Sequence, residues 1–209
     1  DVWFYQVGLE VGIDKLEEAA REFGLGAPVG FPLAGERSGV IPSRSWKWER
    51  FKKSWYGGET VIASIGQGYV LTTPIQLAVM TAALANRGDV LQPQIIRRIE
   101  NWDGKVLQES STRLVSHVDF SEEAWRAINK GLVAAVNSAH GTGSASYLDD
   151  IEVAGKTGTS QVIKRKSDEE EALEQKAVPY RFQAHALFVA YAPADDPEIA
   201  VAVVVEHGQ

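Results

Sequence analysis

Lys156, Thr157 and Thr159, with Gly158 between the two hydroxyl residues, are the side chains of this sequence best matched to chemistry on a small anionic substrate. An ammonium and two hydroxyls on an exposed, extended edge can bind a carboxylate, and Gly158 leaves room for a substrate to lie against the backbone. Gly155-Lys156-Thr157 also resembles the end of a phosphate-binding loop. That loop needs a glycine five residues before Gly155, where Asp150 stands. A lysine that merely decorates a solvated strand is the plainer alternative, so the reading turns on the elements around these residues.

Those elements belong to a mixed α/β chain of the α+β type. Val2-Trp3-Phe4-Val7 with Leu9, Val11 and Ile13 suggests a buried helix entered from the first residue. Asp14 reads as the N-cap of a second helix that stops at Gly24. Residues 24–60 hold many Gly and Pro residues without a clean period and read as a long irregular excursion, a length uncommon without a role. Thr72-Thr73-Pro74 starts a strongly apolar helix closed by Gly88, placed in the middle of a domain. A hairpin is expected from Ile95–Ile99 and Val106–Gln108 around Asp103-Gly104, then a helix from Ser121 that buries Trp125, Ile128, Leu132, Val133 and Val136. Three strands finish the chain at Ile151–Thr159, His185–Tyr191 and Ile199–Glu206, the last two antiparallel across the turn 192–197. The mixed-charge run Lys164–Glu171 reads as a solvated loop that leaves the Lys156 strand directly, where it is also placed to act as a lid.

Composition narrows the function classes. The chain has 209 residues, 44% of them hydrophobic, enough to bury a sizeable core. Its formal net charge of -7 argues against a nucleic-acid binder. Trp46, Trp48, Trp55 and Tyr56 among Arg44, Lys47, Arg50, Lys52 and Lys53 have the make-up of a single-strand stacking surface, yet on so acidic a chain they read as a surface lobe instead. With no cysteine, disulfides and thiolate chemistry are out. His117, His140, His185 and His207 have no metal-ligand spacing, so neither a metal nor a cofactor is expected. The longest apolar run, Ile199–Val205, is too short to span a bilayer.

Several motifs then fall in one order: Phe4-Tyr5-Gln6-Val7, Glu36-Arg37-Ser38-Gly39, Trp46-Lys47, Phe51-Lys52-Lys53-Ser54-Trp55-Tyr56, Gly66-Gln67-Gly68-Tyr69, Thr73-Pro74-Ile75-Gln76 and Lys156-Thr157-Gly158-Thr159. In this order the chain resembles the C-terminal part of the transpeptidase domain of the penicillin-binding protein 2 family, the class B enzymes of rod-shape elongation. The resemblance implies a penicillin-binding, serine-β-lactamase-like fold, an antiparallel sheet flanked by helices, incomplete over residues 1–209. Apolar faces around Trp3 and Phe4 and on Ile199–Val205 are then expected to be exposed. The family needs Ser-x-x-Lys and a second Ser-x-Asn or Ser-x-Asp motif, and no serine of this chain has either spacing. Asp1 falls where the last residue of the second motif would stand, a cleft-lining position by resemblance, although locally it reads as a helix-start residue.

What the resemblance implies for function is acyl transfer through a serine ester. Lys156 would attract the substrate carboxylate and lower the proton affinity of the second-motif serine, and the Thr157 and Thr159 hydroxyls would bind that carboxylate. The Thr159 N–H would form half of the oxyanion hole. Gly66-Gln67-Gly68 reads as structural, letting backbone pass close to the sheet. The implied partners are peptidoglycan stem peptides, β-lactam antibiotics and elongation-complex membrane proteins such as a rod-shape glycosyltransferase. The implied location is the periplasmic face of the bacterial inner membrane. A β-lactamase-type hydrolase and a non-catalytic module of a cell-wall assembly complex are the alternatives.

Overall fold

The computed structural model describes residues 1–162 and 179–208. The charged run at 164–171, with its possible lid role, lies outside them. The chain divides into two compact units, Asp1–Trp125 and Arg126–Gln209.

In the first unit, α1 (Val2–Val11) and α2 (Ile13–Glu22) are separated by Gly12, whose φ of 81° breaks the helical path. Gly12, not Asp14, is therefore the N-cap of α2, and Asp14 sits in its first turn, where an anion suits the helix dipole. The expectation of a buried α1 is corrected: within the helix only Gly8 is buried, while Trp3 is 63% exposed. Apolar residues point to all sides of α1, and its closest approach is at Gly8, where a Cβ would stand 2.4 Å from Ser64 Cβ.

The excursion at 24–60 holds two helices that its irregular period hid, α3 (Arg44–Phe51) and the start of α4 (Gly57–Ala63). Ser43 caps α3 by accepting from the Trp46 N–H at 3.2 Å. Lys47 reaches from α3 to donate to Glu59 Oε2 at 2.5 Å and to the Ser54 carbonyl at 2.6 Å, locking the two helices. Glu36 braces the loop before them by accepting from the backbone N–H groups of Val29 and Phe31.

As expected, α5 (Pro74–Ala85) begins at Thr73-Pro74, with Thr73 and Gln76 closing a capping box. Gln76 is fully buried, and its amide also donates to the Ala27 and Ser38 carbonyls at 2.7 and 2.9 Å. The core of this unit joins Val79 and Ala83 of α5 to Val90 and Val118, with Phe23, Val29 and Phe120 packed on it. Val90 lies in β1 (Asp89–Leu91), a short strand that the sequence reading missed, paired antiparallel with β4 (Leu114–His117). The expected hairpin is β2 (Arg98–Glu100) with β3 (Val106–Glu109), so residues 95–97 stay outside the strand.

Helix α6 (Glu122–Asn137) starts in the first unit and continues through the second. In the second unit a three-stranded antiparallel sheet runs in the order β5 (Ala154–Ser160), β6 (His185–Ala192), β7 (Ile199–Val205). β5 begins at Ala154 rather than Ile151, and Val153 just before it is buried in a cluster with Val136 of α6 and Ala190 of β6. Phe188 and Ala192 pack on that cluster. The antiparallel pairing of β6 and β7 is as the turn residues suggested.

Candidate active site

Lys156, Thr157, Gly158 and Thr159 are all on β5, an edge strand of the described sheet. The register pairs Lys156 with Val189, Thr157 with Phe188, Gly158 with Leu187 and Thr159 with Ala186. Strand alternation then puts Thr157 and Thr159 on one face and Lys156 and Gly158 on the other. An edge strand offers unpaired backbone groups to an extended chain laid beside it. β5 thus combines a main-chain template with an ammonium and hydroxyls.

The start of β5 is fixed from α6. The Asn137 amide donates to the Val133 carbonyl within the helix and to the Val153 carbonyl just before the strand, both at 2.8 Å. After α6 the chain folds back on itself, and the Gly143 N–H donates to the Ala135 carbonyl at 2.8 Å. A side chain at Gly141 would come within 2.4 Å of that same carbonyl oxygen, so the close return demands glycine. This return carries Thr142 to β5, where the Thr157 hydroxyl donates to Thr142 Oγ1 at 3.0 Å. Thr142 was not among the residues singled out from the sequence. The signal present was Gly141-Thr142-Gly143 directly after an apolar helix.

The Lys156 ammonium donates to the Thr157 carbonyl at 2.9 Å and to Thr157 Oγ1 at 3.2 Å. A directed chain results, from ammonium to Thr157 hydroxyl to Thr142 hydroxyl. Lys156 is exposed, and among the described residues no carboxylate pairs with it. Among the described residues the site therefore sets an ammonium without an acidic partner beside two hydroxyls, a suitable receptor for an anion. Gly158 is not required by packing: an added Cβ would meet Leu187 Cβ at 3.5 Å, an ordinary contact.

The family match covers the full chain, residues 1–209, against the family described as the penicillin binding protein transpeptidase domain. The chain belongs to this family. The peptidoglycan D,D-transpeptidase MrdA of Haemophilus influenzae is 38% identical over 99% of this chain and 32% of that protein. Pseudomonas aeruginosa PBP2 in complex with WCK 5153 superposes with a TM-score of 0.78 at 37% identity, over 99% of this chain and 42% of that one. The PBP2 of Helicobacter pylori, solved in complex with MreC, gives 0.79 at 31% identity, over 100% of this chain and 35% of its own. The chain thus spans about a third of the length of the curated relatives it matches. The expected transpeptidase fold, with antiparallel strands and flanking helices, is the one found.

Asp1, Lys47 and Gly66-Gln67-Gly68, also singled out from the sequence, lie in the first unit. Asp1 precedes α1 as its N-cap residue and makes no side-chain capping bond. Gly66 and Gly68 have φ of 74° and 76°, so the Gly-Gln-Gly run is a left-handed turn after α4. A Cβ at Gly68 would stand 2.9 Å from Ile62 Cγ2, and one at Gly66 would meet open space. Turn geometry, with one close approach to Ile62, is what these glycines provide. Lys47, placed among the surface cations by the sequence, is instead buried and paired with Glu59. Among the described residues no group of His, Asp or Glu could hold a metal ion, and no helix is long and apolar enough to cross a membrane.

Proposed function

We propose that this chain is the C-terminal part of the catalytic domain of a peptidoglycan D,D-transpeptidase that cross-links stem peptides during rod-shape elongation. The observation that carries the reading is the exposed Lys156 ammonium, without a carboxylate partner among the described residues and joined to Thr157 and Thr142 on an edge strand of a transpeptidase-family chain. A stem peptide ending in D-alanyl-D-alanine would lie antiparallel along β5, its terminal carboxylate on the Lys156 ammonium and the Thr157 and Thr159 hydroxyls. By resemblance, Asp1 would hold the cleft-lining position of the second motif's last residue. The nucleophilic serine, supplied by a segment this sequence does not contain, attacks the penultimate D-alanine carbonyl. The carbonyl oxygen becomes an oxyanion held by the Thr159 N–H, and the C–N bond breaks with release of D-alanine. An amine of a second stem peptide then attacks the ester, restores the serine hydroxyl and completes the cross-link. Lys156 acts on charge alone, holding the carboxylate and favouring loss of the second-motif serine's proton.

β-Lactams would acylate the same serine. The partner complex of the Helicobacter pylori relative, PBP2 with MreC, supports a place for this chain in an elongation assembly of membrane proteins on the periplasmic face of the inner membrane. The deciding test is the intact mass of the full-length protein before and after benzylpenicillin, with a Lys156→Ala variant beside it. A stable adduct that forms about a hundredfold more slowly on the variant is expected, a loss of the size given by removing one preorganised charge contact. A transient adduct with hydrolysed penicillin would make the protein a β-lactamase, and no adduct would leave a non-catalytic relative.

A further inference from the structure

The segment 43–56 in the first unit has a charge opposite to that of the molecule. It holds five cations, Arg44, Lys47, Arg50, Lys52 and Lys53, against Glu49, a net +4 on a chain of formal net charge -7. Two of these cations are used internally: Lys47 is buried against Glu59, and Arg44 pairs with Asp14 at 3.0 Å. Arg50, Lys52 and Lys53 are exposed and have no ion-pair partner among the described residues. Beside them stand aromatic rings held in a fixed arrangement. Trp46, Phe51 and Tyr69 form a mutual cluster with centroids 5.1–5.7 Å apart. Tyr56 lies 4.8 Å from the Lys47 ammonium. Trp48 and Tyr56 remain 56% and 65% exposed.

We infer that this cationic, aromatic surface binds an acid-bearing saccharide–peptide polymer, the strand that carries the stem peptides, independently of the Lys156 strand. Three cations without an ion-pair partner among the described residues complement its free carboxylates, while the exposed rings of Trp48 and Tyr56, beside the clustered Phe51 and Tyr69, offer flat apolar faces to sugar rings. A bilayer fits the surface less well. α3 is only eight residues long, Trp46 is turned into the cluster, and the exposed rings are interleaved with Arg50, Lys52 and Lys53 rather than gathered on one apolar face. The inference rests on the transpeptidase reading, and its test separates the two.

The full-length protein is cosedimented with purified cell-wall sacculi and, in parallel, with vesicles of anionic phospholipid, as wild type, as Arg50→Gln/Lys52→Gln/Lys53→Gln, and as Trp48→Ala. Acylation by benzylpenicillin is measured on each. The expected result is about tenfold weaker sacculus binding by the triple variant, the product of three exposed charge contacts, with a shallower salt dependence. Trp48→Ala should weaken binding by a smaller factor with the salt dependence kept, and acylation should proceed at the wild-type rate throughout. Sacculus binding unchanged in both variants overturns the inference, as does a loss confined to vesicles, which would make the surface a membrane contact. A wild type that is not acylated sinks the transpeptidase reading, whatever the sedimentation shows.

Discussion

Gly155 and Gly158 lie on opposite faces of one strand and meet different surroundings. A Cβ at Gly155 would stand 2.8 Å from Phe188 Cζ and 2.9 Å from the Val189 carbonyl oxygen, so the sheet and its cluster have no room for it. Gly155→Ala should lower stability by about 1–3 kcal/mol, an overpacking cost read as a shifted urea midpoint. Gly158→Ala meets only ordinary contacts and should keep that midpoint. Its added methyl would stand where a substrate is proposed to lie, so penicillin acylation of the full-length protein should slow. Equal acylation rates for Gly158→Ala and wild type would remove the substrate from that side of β5. Tyr191 gives a pH dependence. Burial pushes its phenol above the ordinary value of 10.0, and the hydroxyl donates to Asn129 Oδ1 at 2.8 Å. A raised folded-state value means that the native state keeps a proton that the unfolded chain releases near pH 10.0. Stability is therefore full below that pH and falls as pH rises beyond it. Tyr191→Phe should cost about 1 kcal/mol at neutral pH and flatten the alkaline fall, both measured by urea unfolding from pH 7 to 11.

At the scale of the element, α5 shows how a local signal acquires a long-range role. Thr73, Pro74 and Gln76 could be read as a helix start because the capping box is a short-range pattern. The Gln76 amide does more, tying the helix to the Ala27 and Ser38 carbonyls of the preceding excursion. Gln76→Leu would leave these two carbonyls and the Thr73 N–H without their partner and should cost about 3 kcal/mol, whereas Thr73→Ala, losing one cap, should cost about 1 kcal/mol. Hydrogen exchange would separate them, since only Gln76→Leu should also loosen residues 24–40. The same contrast explains what could be read in advance. α5, α6 and the three last strands carry regular apolar periods and were legible. α3 and α4 were not, because a buried Lys47–Glu59 pair and an aromatic cluster hold them, contacts that no periodicity announces. β1 and β4 are too short for a period of two to show. At the site, Lys156-Thr157-Gly158-Thr159 was legible as a motif, while Thr142 reaches it only through the fold of the glycine return after α6.

At the scale of the whole molecule, the exposed apolar surface is too regular to be scattered. Ile199, Val201, Val203 and Val205 alternate along β7 on one face at 37–61% exposure, across the ladder from Ala192, Ala190, Phe188 and Ala186. That face includes Ala190 and Phe188 of the buried cluster, so a face that β6 uses as core continues into solvent on β7. Contiguous apolar surface of this kind marks a contact. The sequence spans 32% of its Haemophilus influenzae relative, so in the full-length protein other parts of the chain are available to cover β7. Val201→Thr/Val203→Thr should then act differently in two settings. In the 209-residue chain it should leave stability unchanged and reduce binding of a hydrophobic dye, because the methyls it removes face water there. In the full-length protein it should cost about 2 kcal/mol or more, the loss from two valines that are buried on folding. Equal costs in both settings would mean that the face is covered within this chain, and no cost in either would leave β7 a solvent-facing strand. A cost confined to the longer protein would place a segment outside these 209 residues against the sheet that presents Lys156.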